Sequence, residues 1–198
     1  MGWSFLLEAI LLPDTGKGER RTRLRTIRLP ESLERALEKE ATDEGSTVNA
    51  EINSTLSQHF VWDKKAKEFG FASIHKTLLT SMLEGLDDEM LARIGREVMT
   101  PLWKEMAEYW SQDSSPDGIL NHLMDRSRFN PHHQTRITRE ENTYTVVLRH
   151  DFGPKWSILT KNALQELVRQ SFHTEPQITA GESVVTAHFK VNPRKSPT

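Results

Sequence analysis

The sequence has no cysteine. That excludes disulfides, thiolate metal sites and cysteine nucleophiles, and it fits a reducing compartment; a cytoplasmic location is the expectation. Long apolar runs are missing as well. No stretch approaches the roughly 18 apolar residues that read as a membrane-spanning helix. Trp3 to Leu12 is apolar but short and broken by Glu8, and it lacks a basic leader and a small-residue cleavage site, so it does not read as a signal peptide. A docking helix, a strand covering a neighbour and a wrongly chosen translation start all stand open for it. Nor is there an excess of either charge: 26 Lys and Arg against 28 Asp and Glu give a net charge of -2. Nucleic-acid binding would have to rest on a local basic patch.

Several chemical signatures are also missing. There is no Gly-rich phosphate loop, no G-x-S-x-G and no H-E-x-x-H. Carboxylates are many but scattered, and the run Glu38–Glu44 reads as a solvated helix face. The expectation is a protein that is not an enzyme and that carries no cofactor. His132 and His133, with His122 and His150 further off, lack the spacing and the carboxylate partners of a metal site, so no metal is expected.

What remains is ordinary globular material: 198 residues, 36% hydrophobic and 27% charged, enough for one or two domains with a core. Residues 13–22 are polar, with Pro13, Gly16 and Gly18, and read as an arm after the apolar segment. Residues 23–29 alternate at the strand period of two. Pro30 ends that strand and suits a first helical turn. A helix is predicted over 31–44, with Leu33, Ala36, Leu37, Glu40 and Ala41 on one stripe, stopped by Gly45. Ser46 or Thr47 then caps a second helix over 48–61, whose inner face carries Val48, Ile52, Leu56 and Phe60.

Helices follow at 62–69, 73–84, 87–110 and 116–126. The long one presents Met90, Leu91, Ile94, Val98, Leu102, Met106 and Tyr109 or Trp110, with Pro101 kinking or dividing it. Residues 111–118 and 127–134 read as turns or linkers. Beyond 135 the period changes to two. A hairpin turns at Arg139 to Asn142, a helix spans 156–171, and a second hairpin turns at Gly181-Glu182, with Val185, Ala187, Phe189 and Val191 on one face.

The segment 23–60, with R-T-I-R-L-P, an amphipathic helix and then G-S-T-V-N-A-E-I, resembles the ribbon-helix-helix family of DNA-binding proteins, to which the Arc and MetJ repressors belong. The resemblance covers about a fifth of the chain. It implies that two copies pair their strands into an antiparallel ribbon that enters the major groove of double-stranded DNA. Leu24, Thr26 and Arg28 then face the bases. Ser46, Thr47, Val48 and Asn49 clamp a phosphate at the second helix's N-terminus, and Lys17, Arg20, Arg21 and Arg23 add backbone contacts. Ile27, Leu29, Leu33, Leu37, Val48, Ile52 and Leu56 form the homodimer core. Arg25 lies on the inward parity near the strand's end, where its long stem can still reach solvent or phosphate.

The expected fold class is α+β, an N-terminal ribbon-helix-helix, a helical middle segment and a small C-terminal ββαββ domain. The divisions are 1–22 (apolar segment and basic arm), 23–61 (ribbon-helix-helix), 62–126 (helical linker), 135–191 (a sensor or interaction domain) and 192–198 (tail). The functional expectation is a dimeric transcriptional regulator with a small-molecule or protein effector at its C-terminal domain. The rival is an antitoxin-type interaction protein or a bare dimerisation module. The stretch His150 to Ser157 is the most distinctive of the C-terminal half: a ligand-sensing corner, or a strand-to-helix connection whose residues serve backbone and core.

Overall fold

The computed structural model describes residues 23–191, which divide into two compact units at Phe71/Ala72. The first unit is helical. Helix α1 (Glu31–Glu44) begins directly after Pro30, whose carbonyl accepts from the N–H groups of Leu33 and Glu34 at 2.9 and 3.1 Å. Gly45 ends it at φ 64°, a left-handed conformation in which a Cβ is strained; Ser46 N–H then donates to Ala41 O at 2.8 Å. Helix α2 (Val48–Ser57) is capped by Thr47, whose Oγ1 accepts from Ala50 N–H at 3.2 Å. A π-helical turn, Gln58–Asp63, carries it without a break into α3 (Lys64–Phe69), so the two helices predicted at 48–61 and 62–69 are one continuous rod.

The strand expected over 23–29 is not formed in the single chain: residues 23–30 take no regular secondary structure. A strand's ladder needs a second backbone, and among the described residues none pairs with this segment. The unit's described residues also form little core. Among its described residues only Ala41 and Ala66 are buried.

The second unit is α+β. It contains α4 (Lys76–Glu84), α5 (Asp88–Ile94), α6 (Thr100–Ser111), α7 (Pro116–Arg126), β1 (His133–Glu140), β2 (Thr143–His150), α8 (Pro154–Phe172), β3 (Gln177–Ala180) and β4 (Val184–Lys190). The strands form one antiparallel sheet in the order β1-β2-β4-β3. The ββαββ order is as expected, but the first turn is tighter. Glu140 pairs with Thr143 across Glu141-Asn142, and Glu141 takes a positive φ of 52°.

One sheet face is covered. Tyr144, Val146 and Leu148 of β2 and Val185, Ala187 and Phe189 of β4 are buried against Leu164, Leu167 and Val168 of α8, Leu120 and Leu123 of α7, and Trp103 and Ala107 of α6. Each Val, Leu or Phe among them contributes about 1.5–3 kcal/mol when fully buried. The residues expected to be a helical middle segment are therefore divided. Residues 62–71 belong to the first unit, and α6 and α7 build the same core as the sheet.

The long helix predicted over 87–110 is interrupted by a π-helical turn at Gly95–Met99. Pro101 has no N–H to offer the carbonyl four residues back, and a wider turn relieves the misfit. The inserted residue rotates everything beyond it by about 100°. Beyond the turn Met106, expected on the apolar face, is buried with Trp103 and Ala107, whereas Val98 in the turn and Leu102 after it are exposed; of the alternatives Tyr109 and Trp110, Tyr109 is exposed and Trp110 half-buried. Gly95 lies where α8 crosses: a Cβ there would stand 2.4 Å from Leu159 O. Next to it, the buried Thr100 Oγ1 donates to Ala163 O at 2.9 Å.

Candidate functional sites in the two units

In the first unit the candidate interface is a surface of cations, a helix start and uncovered apolar side chains. Arg23, Leu24, Arg25, Thr26 and Arg28 are all exposed, and Leu24 is 93% exposed. Lys17, Arg20 and Arg21 lie outside the described residues. At the start of α2, Thr47 Oγ1 accepts from Ala50 N–H, and Ser46 Oγ donates to the Glu51 carboxylate, a second brace that the sequence spacing did not suggest. The backbone N–H groups of Val48 and Asn49 have no partner among the described residues, as at any helix start. They point their partial positive charge outward, where an anion can be held.

None of the expected dimer-core residues is buried within one chain. Ile27, Leu33 and Leu56 are exposed, and Leu29, Leu37, Val48 and Ile52 are half-buried. Phe60 is exposed beside them in sequence.

In the second unit, polar and aromatic groups gather where β1 starts, β2 ends and α8 begins. The two adjacent histidines separate. His132 Nδ1 lies 3.0 Å from Asp151 Oδ2, which also accepts from Lys76 Nζ at 3.0 Å. Burial is the largest single influence and raises the Asp151 carboxyl, but the His132 and Lys76 hydrogen bonds and charges together outweigh it and hold the group below its ordinary value. His133 instead turns inward, with ring centroids 5.4 Å from Phe152 and 5.3 Å from Trp156. Burial, then the nearby Arg126 charge, pushes it down to about 3.

His150 Nε2 is 2.8 Å from Ser157 Oγ, and its Nδ1 accepts from Phe152 N–H at 3.3 Å. Gly153, at φ 80°, makes the bend between them, and Pro154 occupies the first helical position. Among the described residues, no group of three His, Asp or Glu side chains converges as metal ligands.

A third feature is a cleft between α7 and the first hairpin, lined by Asp117, Asn121, Met124, Ile137, Arg139 and Tyr144. Tyr144 Oη donates to Asp117 Oδ1 at 2.7 Å, and the Arg139 guanidinium lies 5.1 Å over the Tyr144 ring. Burial, then the Asp117 carboxylate, raises the phenol to about 12.

Sequence reasoning singled out His150 to Ser157 but missed Lys76, Asp117 and Arg126, which come from distant helices and follow no local motif. Comparison with protein-family models, curated proteins and solved structures returns no match. Among the described residues no helix is long and apolar enough to cross a membrane.

Proposed function

We propose that the chain is a dimeric DNA-binding transcriptional regulator, with a ribbon built from residues 23–29 of two copies and a C-terminal unit that senses a small ligand or binds a partner. One observation carries this reading: the first unit buries only Ala41 and Ala66 among its described residues, while Ile27, Leu33, Leu56 and Phe60 stay exposed beside Arg23, Arg25 and Arg28. A unit with so little core of its own gains stability by association, which makes folding depend on protomer concentration. A second copy would cover the apolar residues and give segment 23–29 its ladder partner. Thr26 and Arg28 would then face base edges, where Arg reads guanine O6 and N7. The start of α2 would hold a phosphate.

The second unit's own core supports a sensor or interaction domain over a short antitoxin tail, which orders only on its partner. The test is fluorescence anisotropy with DNA from the protein's own upstream region, across a salt series. Salt-sensitive binding whose preference over random DNA is lost in Thr26→Ala/Arg28→Ala is the expected result. An unbound dimer at low salt would overturn the reading.

A further inference from the structure

Arg126 closes α7, and its guanidinium turns inward. Nη1 lies 3.8 Å from Sδ of Met106, a fully buried side chain of α6. One helical turn earlier, on the same face of α7, His122 is 3% exposed, and its Nε2 is buried without a hydrogen-bond partner. Its ring centroid is 5.7 Å from that of Trp110, one turn beyond Met106 on α6. His133 joins this junction from the start of β1.

Asp151 acts favourably on His133 but does not pair with Arg126. Among the described residues no carboxylate pairs with Arg126, and the adjacent Asp125 pairs with Arg128 at 3.5 Å. Burial lowers the guanidinium only to about 10, so it stays charged at neutral pH. His122 and His133 cannot share the positive charge, because burial first and Arg126 second keep both neutral. A cation partly withdrawn from water without a counter-ion is costly, and protein interiors pair such charges. Arg126 as a whole is half-buried, so the residue is not sealed from solvent.

We infer that the junction of α6, α7 and β1 binds a small monocarboxylate. Arg126 takes both carboxylate oxygens on its planar fork, and neutral His122 donates from Nε2. The choice of a singly charged ligand follows from there being one cation. Met106 and Trp110 favour an apolar or aromatic body on the acid. This deepens the sensing half of the proposed function and rests on it only for its biological use. The test below needs no DNA, so failure of either leaves the other standing.

The experiment is thermal unfolding of the full chain at constant pH and ionic strength in chloride, acetate, benzoate or inorganic phosphate. Saturating acetate or benzoate should raise the melting midpoint by about 3–6 °C over chloride. Arg126→Met should abolish that rise and, with no buried charge left, melt higher than wild type in chloride. The inference falls if neither carboxylate raises the wild-type midpoint, if phosphate raises it more than both, or if the rise survives in Arg126→Met. Should Arg126→Met not melt cooperatively, Arg126→Lys decides: it keeps the charge but loses the fork, so carboxylate affinity should drop about tenfold or more. Unchanged affinity would overturn the assignment.

Discussion

His150 Nε2 lies 2.8 Å from Ser157 Oγ and fastens the last residue of β2 to the first turns of α8. Because His150 Nδ1 accepts from Phe152 N–H, the ring proton sits on Nε2 and is donated to the serine. This is the reverse of the polarity in which a histidine base activates a serine nucleophile. In this state the pair is a clasp between sheet and helix.

Removing the acceptor tests the clasp. Ser157→Ala leaves a buried His150 N–H unpaired, which costs about 1–3 kcal/mol. Urea denaturation should show a lower midpoint with an unchanged slope. A variant as stable as wild type would mean that another group accepts that proton.

Gly95→Ala should be more damaging than its size suggests. The new Cβ would meet Leu159 O at 2.4 Å and Ala163 N at 3.1 Å, both backbone atoms of α8 that cannot move independently. The expected loss is about 1–3 kcal/mol or more, as for overpacked cores. Gly85→Ala, where the nearest atom is at 3.4 Å, serves as the control and should shift the thermal midpoint far less.

Acid should unfold the second unit through its buried histidines. Burial first, then the charge of Arg126, lowers His122 to about 4 and His133 to about 3. Both folded values lie below the ordinary 6.5, so the unfolded chain takes up these protons first. The stability they confer is complete above pH 6.5 and drains away as pH falls toward 4 and then 3. Each histidine contributes a slope of up to about 1.4 kcal/mol per pH unit. His122→Leu should flatten the urea midpoint's dependence between pH 6.5 and 4. An unaltered profile would show that His122 is not the group responsible.

Association should depend on the half-buried face of α2. Ile52→Asp places a carboxylate where the proposed dimer needs apolar surface, and sedimentation should find a monomer with reduced helicity. A variant that sediments as the wild type does would place any dimer contact elsewhere.

Local signals were legible in the sequence. Helix α1 begins after Pro30 and ends at Gly45, as predicted, because both residues restrict or free backbone angles regardless of what lies around them. The ββαββ order was legible too, since alternation of Tyr144, Val146 and Leu148 marks a half-buried strand without reference to its partner. Other features lay beyond any local pattern. The π-helical turn at Gly95–Met99, which leaves Val98 and Leu102 exposed, is invisible to a count that assumes 3.6 residues per turn. The merging of α6 and α7 with the sheet depended on long-range packing. So did the meeting of Met106 with His122, Arg126 and His133: the last three are near one another in sequence, but only tertiary structure sets them against α6, with no carboxylate on Arg126 among the described residues. The strand over 23–29 is the converse case. Its alternation is written in the sequence, but a strand's hydrogen bonds need a second backbone, and none of the described residues supplies it.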